Sequence, residues 1–145
     1  MDTNEKLNLP NSHLDHIGVA VRDVQNTVKL YRILGIEPRG SELVEDQGIE
    51  VTMIQVSDST RIELLKPVRD DSPVAKFIEK RGEGLHHIAM AVKDIYSALE
   101  SCRRNGFQLI DEKPRIGAGG CLIAFLHPKS TGGILMELTQ HKSEE

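Results

Sequence analysis

The stretch Leu14-Asp15-His16-Ile17-Gly18-Val19-Ala20-Val21 decides the fold, because a close copy of it occurs 71 positions later. The copy reads Leu85-His86-His87-Ile88-Ala89-Met90-Ala91-Val92, and in both stretches a histidine precedes a run of small and β-branched residues. Such runs favour a β-strand. Strand alternation puts His16, Gly18 and Ala20 together on one face. The repeat therefore predicts a duplicated module with one histidine at the same place in each copy.

Each half of the chain also contains a glutamate inside an apolar, strand-like run. Glu63 lies in Ile62-Glu63-Leu64-Leu65 and Glu137 lies in Leu135-Met136-Glu137-Leu138, 74 positions apart, which is nearly the interval between the two histidines. A single histidine or glutamate in a strand is ordinary, but two of each in matched order are typical of one metal site built from both copies. We therefore predict that one divalent metal ion is bound by His16, Glu63, His87 and Glu137.

The chemistry of these four ligands limits the kind of metal. Two imidazole nitrogens and two carboxylate oxygens differ from the thiolate-rich sets of structural zinc sites. They suit Co²⁺, Mn²⁺, Ni²⁺ or Zn²⁺, with further coordination positions for water or a chelating substrate. The pattern predicts a Lewis-acid site that takes part in a reaction.

Helix and strand signals repeat in both halves. Asp23 and Asp94 are predicted N-caps of the helices that follow the repeated strands. Three more strands follow in each half, one of them at residues 107–110. We predict a single α+β domain over residues 1–145. It consists of two β-α-β-β-β modules that form a curved mixed sheet around the metal, at about 13–67 and 84–140, linked by a short helix at 72–81. Residues 1–12 are expected to be a loose lead-in.

Composition excludes several classes of function. The net charge of −4, the aromatic content of 3% and the absence of Trp argue against a nucleic-acid surface. No apolar run approaches the ~20 residues of a membrane span, and the first residues lack a signal-peptide pattern. The two cysteines lack C-x-x-C spacing and are expected to be reduced thiols. These features predict a cytoplasmic protein that does not bind membranes.

Several stretches resemble the vicinal oxygen chelate superfamily and, more narrowly, its methylmalonyl-CoA epimerases. The resemblance covers about residues 14–140. Besides the first repeat, it lies in Ile62-Glu63-Leu64-Leu65-Lys66-Pro67, Asp71-Ser72-Pro73-Val74-Ala75-Lys76-Phe77, Gly84-Leu85-His86-His87-Ile88, Phe125-Leu126-His127-Pro128-Lys129-Ser130 and Gly132-Gly133. It implies a glyoxalase-like fold, a homodimer and an acyl-CoA substrate.

The resemblance also implies a reaction, namely interconversion of (R)- and (S)-methylmalonyl-CoA in propionyl-CoA metabolism. A proton leaves C2 on one face and returns on the other, while a metal stabilises the enolate. Glu137 would be both a metal ligand and one catalytic base. In some family members the second base is a glutamate in the strand after a Gln-Gly turn. Here Gln47-Gly48-Ile49-Glu50-Val51 places Glu50 one residue early. Glu50 is the candidate second base if the strand bulges; otherwise another group, such as water, takes this role.

Two other functions use the same scaffold. A glyoxalase-I-type isomerase would act on a glutathione hemithioacetal with the same ligands, and a non-catalytic module would sequester a ligand such as a drug.

For several further polar residues the sequence allows more than one role. His86 is expected to be packed or hydrogen-bonded on the face opposite His87. A coenzyme A phosphate could be bound by Lys113, Arg115, Lys129 and Ser130, which are otherwise ordinary surface residues. His127 lines the cleft or ends a strand.

Overall fold

The computed structural model describes residues 12–143, which divide into two compact units. The first unit contains residues 16–86, and the second contains residues 12–15 together with 87–143. The predicted lead-in, except for its last residue, lies outside the described residues.

The helices and strands follow the predicted order in both halves. The first half contains β1 (His13–Ala20), α1 (Val24–Ile33), β2 (Gly40–Val44), β3 (Ile49–Gln55), β4 (Arg61–Pro67) and α2 (Pro73–Arg81). The second half contains β5 (Gly84–Ala91), α3 (Ile95–Arg104), β6 (Arg115–Ile116), β7 (Leu122–Leu126) and β8 (Met136–Gln140). The predicted α+β class and the repeated β-α-β-β-β order are confirmed.

In the first unit the strands lie in the order β2-β3-β4-β1. β1 and β4 are parallel, whereas β2, β3 and β4 form antiparallel pairs. Helix α1 begins after Asp23, whose side chain accepts a hydrogen bond from the Asn26 amide, as the sequence predicts. One face of the sheet is covered by α1 through an apolar core of Val21, Val24, Val28, Ile54 and Leu64. The opposite face of β1 and β4 is therefore the one that can carry polar side chains.

Helix α2 is the predicted linking helix, and it packs on the first unit. Ser72 caps it by accepting from the Ala75 amide, and Pro73 occupies the first turn, where a missing N–H costs no hydrogen bond. Val74 and Ile78 are buried on its inner face.

In the second unit the strands lie in the order β5-β8-β7-β6. β5 and β8 are parallel, as β1 and β4 are, and the remaining pairs are antiparallel. Asp94 caps α3 by accepting from the amides of Tyr96 and Ser97. Helix α3 covers one face through a core of buried residues on α3, β7 and β8, namely Ile95, Ala98, Leu99, Ala124, Leu126 and Leu138.

The predicted strand at 107–110 is wrong. This segment makes a single bridge, Leu109 to Leu126, and the edge strand of the unit is β6 instead. The reason is a side chain that replaces a backbone acceptor: Asp111 Oδ2 accepts from the Phe125 amide at 2.8 Å. The Ile110 and Asp111 amides both donate to the Phe125 carbonyl, so the regular ladder ends there.

Among residues 12–143, no helix is long and apolar enough to cross a membrane.

Candidate metal and catalytic site

The first unit brings His16 and Glu63 together on one face of its sheet. In the parallel pairing of β1 with β4, Glu63 lies opposite Gly18, and His16 lies opposite Arg61. Because Gly18 has no side chain, the carboxylate of Glu63 can turn towards the imidazole. His16 Nε2 lies 3.5 Å from Glu63 Oε1, and both side chains are 5% exposed.

The second unit repeats this arrangement with His87 and Glu137. In the parallel pairing of β5 with β8, Glu137 lies opposite Ala89, another small residue. His87 Nε2 lies 3.5 Å from Glu137 Oε1, the same two atoms at the same distance as in the first unit. The two pairs therefore have matching positions, matching atoms and matching separations, as the repeated sequence predicts.

Each pair suits two ligands of one metal ion. Two ligand atoms that each lie about 2.1 Å from an ion are themselves roughly 3.0–3.4 Å apart at right to tetrahedral angles. The separation of 3.5 Å in each pair is close to this value. Buried carboxylates also require a positive partner, because burial of an isolated charge is costly. The buried residues His16, His87 and Glu137 are of types that hold divalent metals.

The surroundings of the two pairs differ. Arg61 donates to Glu63 Oε2 from Nη2 at 2.9 Å and from Nε at 3.3 Å, so a guanidinium fixes this carboxylate. In the second unit the ring of Phe125 meets the ring of His87 edge to face, with centroids 5.6 Å apart. Arg61 was not predicted as a site residue, although strand alternation puts it on the same face of β4 as Glu63.

Glu50 lies on the face of β3 opposite to that of Glu63. The pairing of β3 with β4 is continuous, without a bulge, and sets Glu50 against Lys66 and Met53 against Glu63. Neighbouring residues of a strand alternate between faces, so Val51 takes the position on the face of Glu63. Glu50 instead lines a shallow cavity beside α1, together with Val24, Gln25, Val28, Arg32 and Thr52. The sequence left two alternatives, a bulge that would turn Glu50 towards the site or another group as the second base. β3 has no bulge, and Glu50 does not lie on the face of Glu63, which favours the second alternative.

His86 is packed on the other face of β5 from His87. Its ring meets the ring of Phe77 on α2 edge to face, with centroids 5.0 Å apart. Burial lowers the pKa of His86 from 6.5 to about 4, so the ring is neutral at neutral pH. This agrees with the expectation that His86 is packed.

The residues after β7 have a clear structural role. His127 caps a short 3₁₀ turn, because its Nδ1 accepts from the Lys129 amide at 3.1 Å. The hydroxyl of Ser130 accepts from the Gln108 amide at 2.7 Å. These bonds hold the loop against the irregular segment at 107–110, which is the strand-ending role considered for His127.

Comparison with known proteins places this arrangement in a family. The profile of the Glyoxalase/Bleomycin resistance protein/Dioxygenase superfamily matches residues 15–125. The uncharacterized protein YqjC of Bacillus subtilis is 40% identical over 92% of this chain and 96% of its own length. The ethylmalonyl-CoA/methylmalonyl-CoA epimerase of Cereibacter sphaeroides is 38% identical over 88% of this chain and 96% of its own length.

A solved structure gives the same result. A variant of Streptomyces coelicolor methylmalonyl-CoA epimerase, in complex with 2-nitronate-propionyl-CoA, superposes with a TM-score of 0.87 at 37% identity, covering 92% of this chain and 96% of that chain. The predicted fold and the predicted class of enzyme, an isomerase, are confirmed. The chain belongs to the glyoxalase/bleomycin resistance protein/dioxygenase superfamily and, within it, to the family of the methylmalonyl-CoA epimerases.

Proposed function

We propose that this protein is a metal-dependent epimerase that interconverts (R)- and (S)-methylmalonyl-CoA. The observation that carries the proposal is the repeated pair of a buried histidine and a buried glutamate, with 3.5 Å between Nε2 and Oε1 in each unit. The names of the relatives, which include an epimerase solved with an acyl-CoA analogue, support an acyl-CoA substrate.

Together, the two pairs would hold one divalent ion, with His16, Glu63, His87 and Glu137 as its ligands. The mixture of imidazole and carboxylate donors suits Co²⁺, Mn²⁺, Ni²⁺ or Zn²⁺. When bound, the ion supplies positive charge where negative charge develops on the thioester and carboxylate oxygens as the C2 proton leaves. The two anionic ligands would offset the charge of the ion, and Arg61 adds one positive charge beside Glu63.

The carboxylates of the chain would move the proton. Glu137 is buried beside His87, where few waters compete for the C2 proton, and would take that proton as the base on one face. The group on the other face was expected to be Glu50, but the register of β3 argues against it. Glu63 is the carboxylate of the first unit that lies beside His16, on the same face of the sheet. We therefore assign the second proton transfer to Glu63. Arg61 would hold its oxygens in a fixed direction.

The test is solvent exchange at C2. Protein loaded with each candidate metal and incubated with methylmalonyl-CoA in D₂O should incorporate deuterium at C2 and racemise the substrate. Chelation should abolish both signals, and added metal should restore them. Metal-loaded protein that gives no exchange would rule out the epimerase.

The two alternatives are tested in the same preparation. Turnover of methylglyoxal with glutathione would indicate the glyoxalase-type isomerase. Tight binding of an organic ligand with no turnover of either substrate would indicate a sequestering module.

The expected homodimer and cytoplasmic location remain predictions from the sequence. Light scattering after size-exclusion chromatography would check the first: a homodimer of the 16.1 kDa chain should have a mass of about 32 kDa.

A further inference from the structure

A second cluster of titratable side chains lies in the second unit and consists of Asp15, Cys121 and His141. The ring of His141 stands between a thiol and a carboxylate. Its Nδ1 lies 3.5 Å from Cys121 Sγ, and its Nε2 lies 2.5 Å from Asp15 Oδ1. Asp15 and His141 are separated by 126 positions in the chain, so only folding brings them together.

The arrangement suits proton transfer better than metal binding. A metal site needs ligand atoms that converge, but here the two nitrogens of one ring point to different partners. An ionised carboxylate can only accept, so we assign the ring hydrogen to Nε2, which leaves Nδ1 as an acceptor for the thiol hydrogen. Activated nucleophiles in enzymes have the same arrangement, in which a base lies beside the nucleophile and a third group orients the base.

The burial of the three groups fits these roles. Asp15 is 2% exposed and Cys121 is 7% exposed, whereas the side chain of His141 is 46% exposed. The carboxylate of Asp15 is shielded from water on its own side of the pair, so it favours the imidazolium form of His141 more than an exposed carboxylate would. Transfer of the thiol hydrogen to Nδ1 therefore creates a thiolate–imidazolium pair that Asp15 stabilises.

A cationic side chain also lies next to the residue that precedes the thiol. A Cβ placed on Gly120, the residue before Cys121, would lie 2.7 Å from Lys142 Nζ, so this ammonium group rests against the backbone there. Positive groups near a cysteine favour its thiolate form.

We propose that Cys121 is an activated thiol, with His141 as its base and Asp15 as the group that orients the base, and that small peroxides modify it. The thiolate sulfur attacks one oxygen of hydrogen peroxide, so that an S–O bond forms and the O–O bond breaks. Hydroxide leaves and takes the proton from the His141 imidazolium to become water. Sulfur loses two electrons, peroxide gains them, and the product is a sulfenic acid.

A small, neutral oxidant is the reagent that the site would admit. Cys121 packs with Ile123 and Phe125, so a bulky disulfide would have to displace side chains. The short loop before it, residues 117–120, contains Gly119 and Gly120 at φ of 69° and 76°, and neither glycine places a side chain over the sulfur.

Cys102 provides an internal control. It is half-buried in α3, and burial raises the pKa of its thiol. The full chain would be treated with hydrogen peroxide and the sulfenic-acid probe dimedone from pH 6 to 9, and labelling at each cysteine would be followed by mass spectrometry. At pH 7, Cys121 should be labelled at least about tenfold faster than Cys102, and its rate should change little between pH 7 and 9.

The His141→Gln variant separates activation from shielding. If His141 is the base, this variant should slow labelling of Cys121 about tenfold and shift its pH profile upwards, towards that of Cys102. If His141 merely covers the sulfur, the variant should speed labelling instead, which would overturn the proposal. Equal labelling of the two cysteines in the unaltered protein would also overturn it. The readout does not depend on epimerase activity.

Discussion

The two histidine–glutamate pairs have the same geometry but different neighbours. In the first unit, Arg61 binds the carboxylate of Glu63 with two hydrogen bonds. In the second unit, the ring of Phe125 packs against His87 and lies opposite Glu137 in the strand register. The strand pairings that position the proposed ligands are repeated, whereas the residues that support them differ between the two units. Equivalent substitutions in the two units should therefore have unequal effects.

The largest contrast is expected between the glutamates. Glu137→Gln should lower the rate of C2 exchange of one enantiomer about 10³-fold and largely spare the other enantiomer, because loss of a general base typically costs two to four orders of magnitude. Glu63→Gln should retain exchange on one face of the substrate and lose racemisation. Exchange with each enantiomer in D₂O would measure both effects. Equal loss for both enantiomers in both variants would show that the two carboxylates do not divide the proton transfers.

The histidines give the next contrast. His16→Gln and His87→Gln should each weaken metal binding by at least about 100-fold, because each would remove a proposed nitrogen ligand. His86→Gln is the matched control, since His86 packs on Phe77, and its metal affinity should remain within about twofold of the unaltered protein. Calorimetric titration with Zn²⁺ would compare the three. A large loss in the His86 variant would contradict the assignment of faces on β5.

Arg61 and Phe125 test the supporting residues directly. Arg61→Leu would leave Glu63 buried without its two hydrogen bonds and should lower the free energy of unfolding of the metal-free protein by about 1–3 kcal/mol. Added metal should recover part of this loss. Phe125→Leu should cost about 1–1.5 kcal/mol, and metal should recover little of it, since the lost contacts are apolar. Urea unfolding with and without metal would separate the two variants.

The smallest effect is expected from Glu50→Gln. Because Glu50 lies on the α1 face of β3, the rate of C2 exchange should stay within about twofold of the unaltered protein. The exchange assay in D₂O is the measurement. A loss comparable to that of Glu137→Gln would mean that the register of β3 in solution differs from the one described here.

The sequence predicted what depends on local pattern. The two repeated strands, the capping aspartates at residues 23 and 94 and the Ser-Pro start of α2 all depend on neighbours within a few positions, and all are confirmed. The strand expected at 107–110 failed because a distant partner, the Phe125 amide, is bound by the side chain of Asp111. Pairing of that kind leaves no local signal.

The same limit applies to the sites. His16, Glu63, His87 and Glu137 could be chosen because duplication repeats the motif, so that each half serves as a check on the other. The cluster of Cys121, His141 and Asp15 joins residues that are far apart in the chain. The repeated motif gives no second copy of this cluster against which it could be checked. From the sequence, Cys121 was therefore predicted only as a reduced thiol.

The turn before β3 sets the register of this strand, and the register decides which side chains of β3 lie on the face of Glu63. Gly48 adopts a left-handed conformation at φ 63°, the Val68 amide donates to its carbonyl, and Arg69 Nη1 donates to the Glu45 carbonyl at 2.6 Å. These bonds fix where β3 begins, and therefore which side chains accompany Glu63. A one-residue insertion or deletion here would exchange the faces of β3 and present Glu50 and Thr52 in place of Val51 and Met53. A change in turn length, with no substitution in the strand, could thus add a carboxylate beside the ligands.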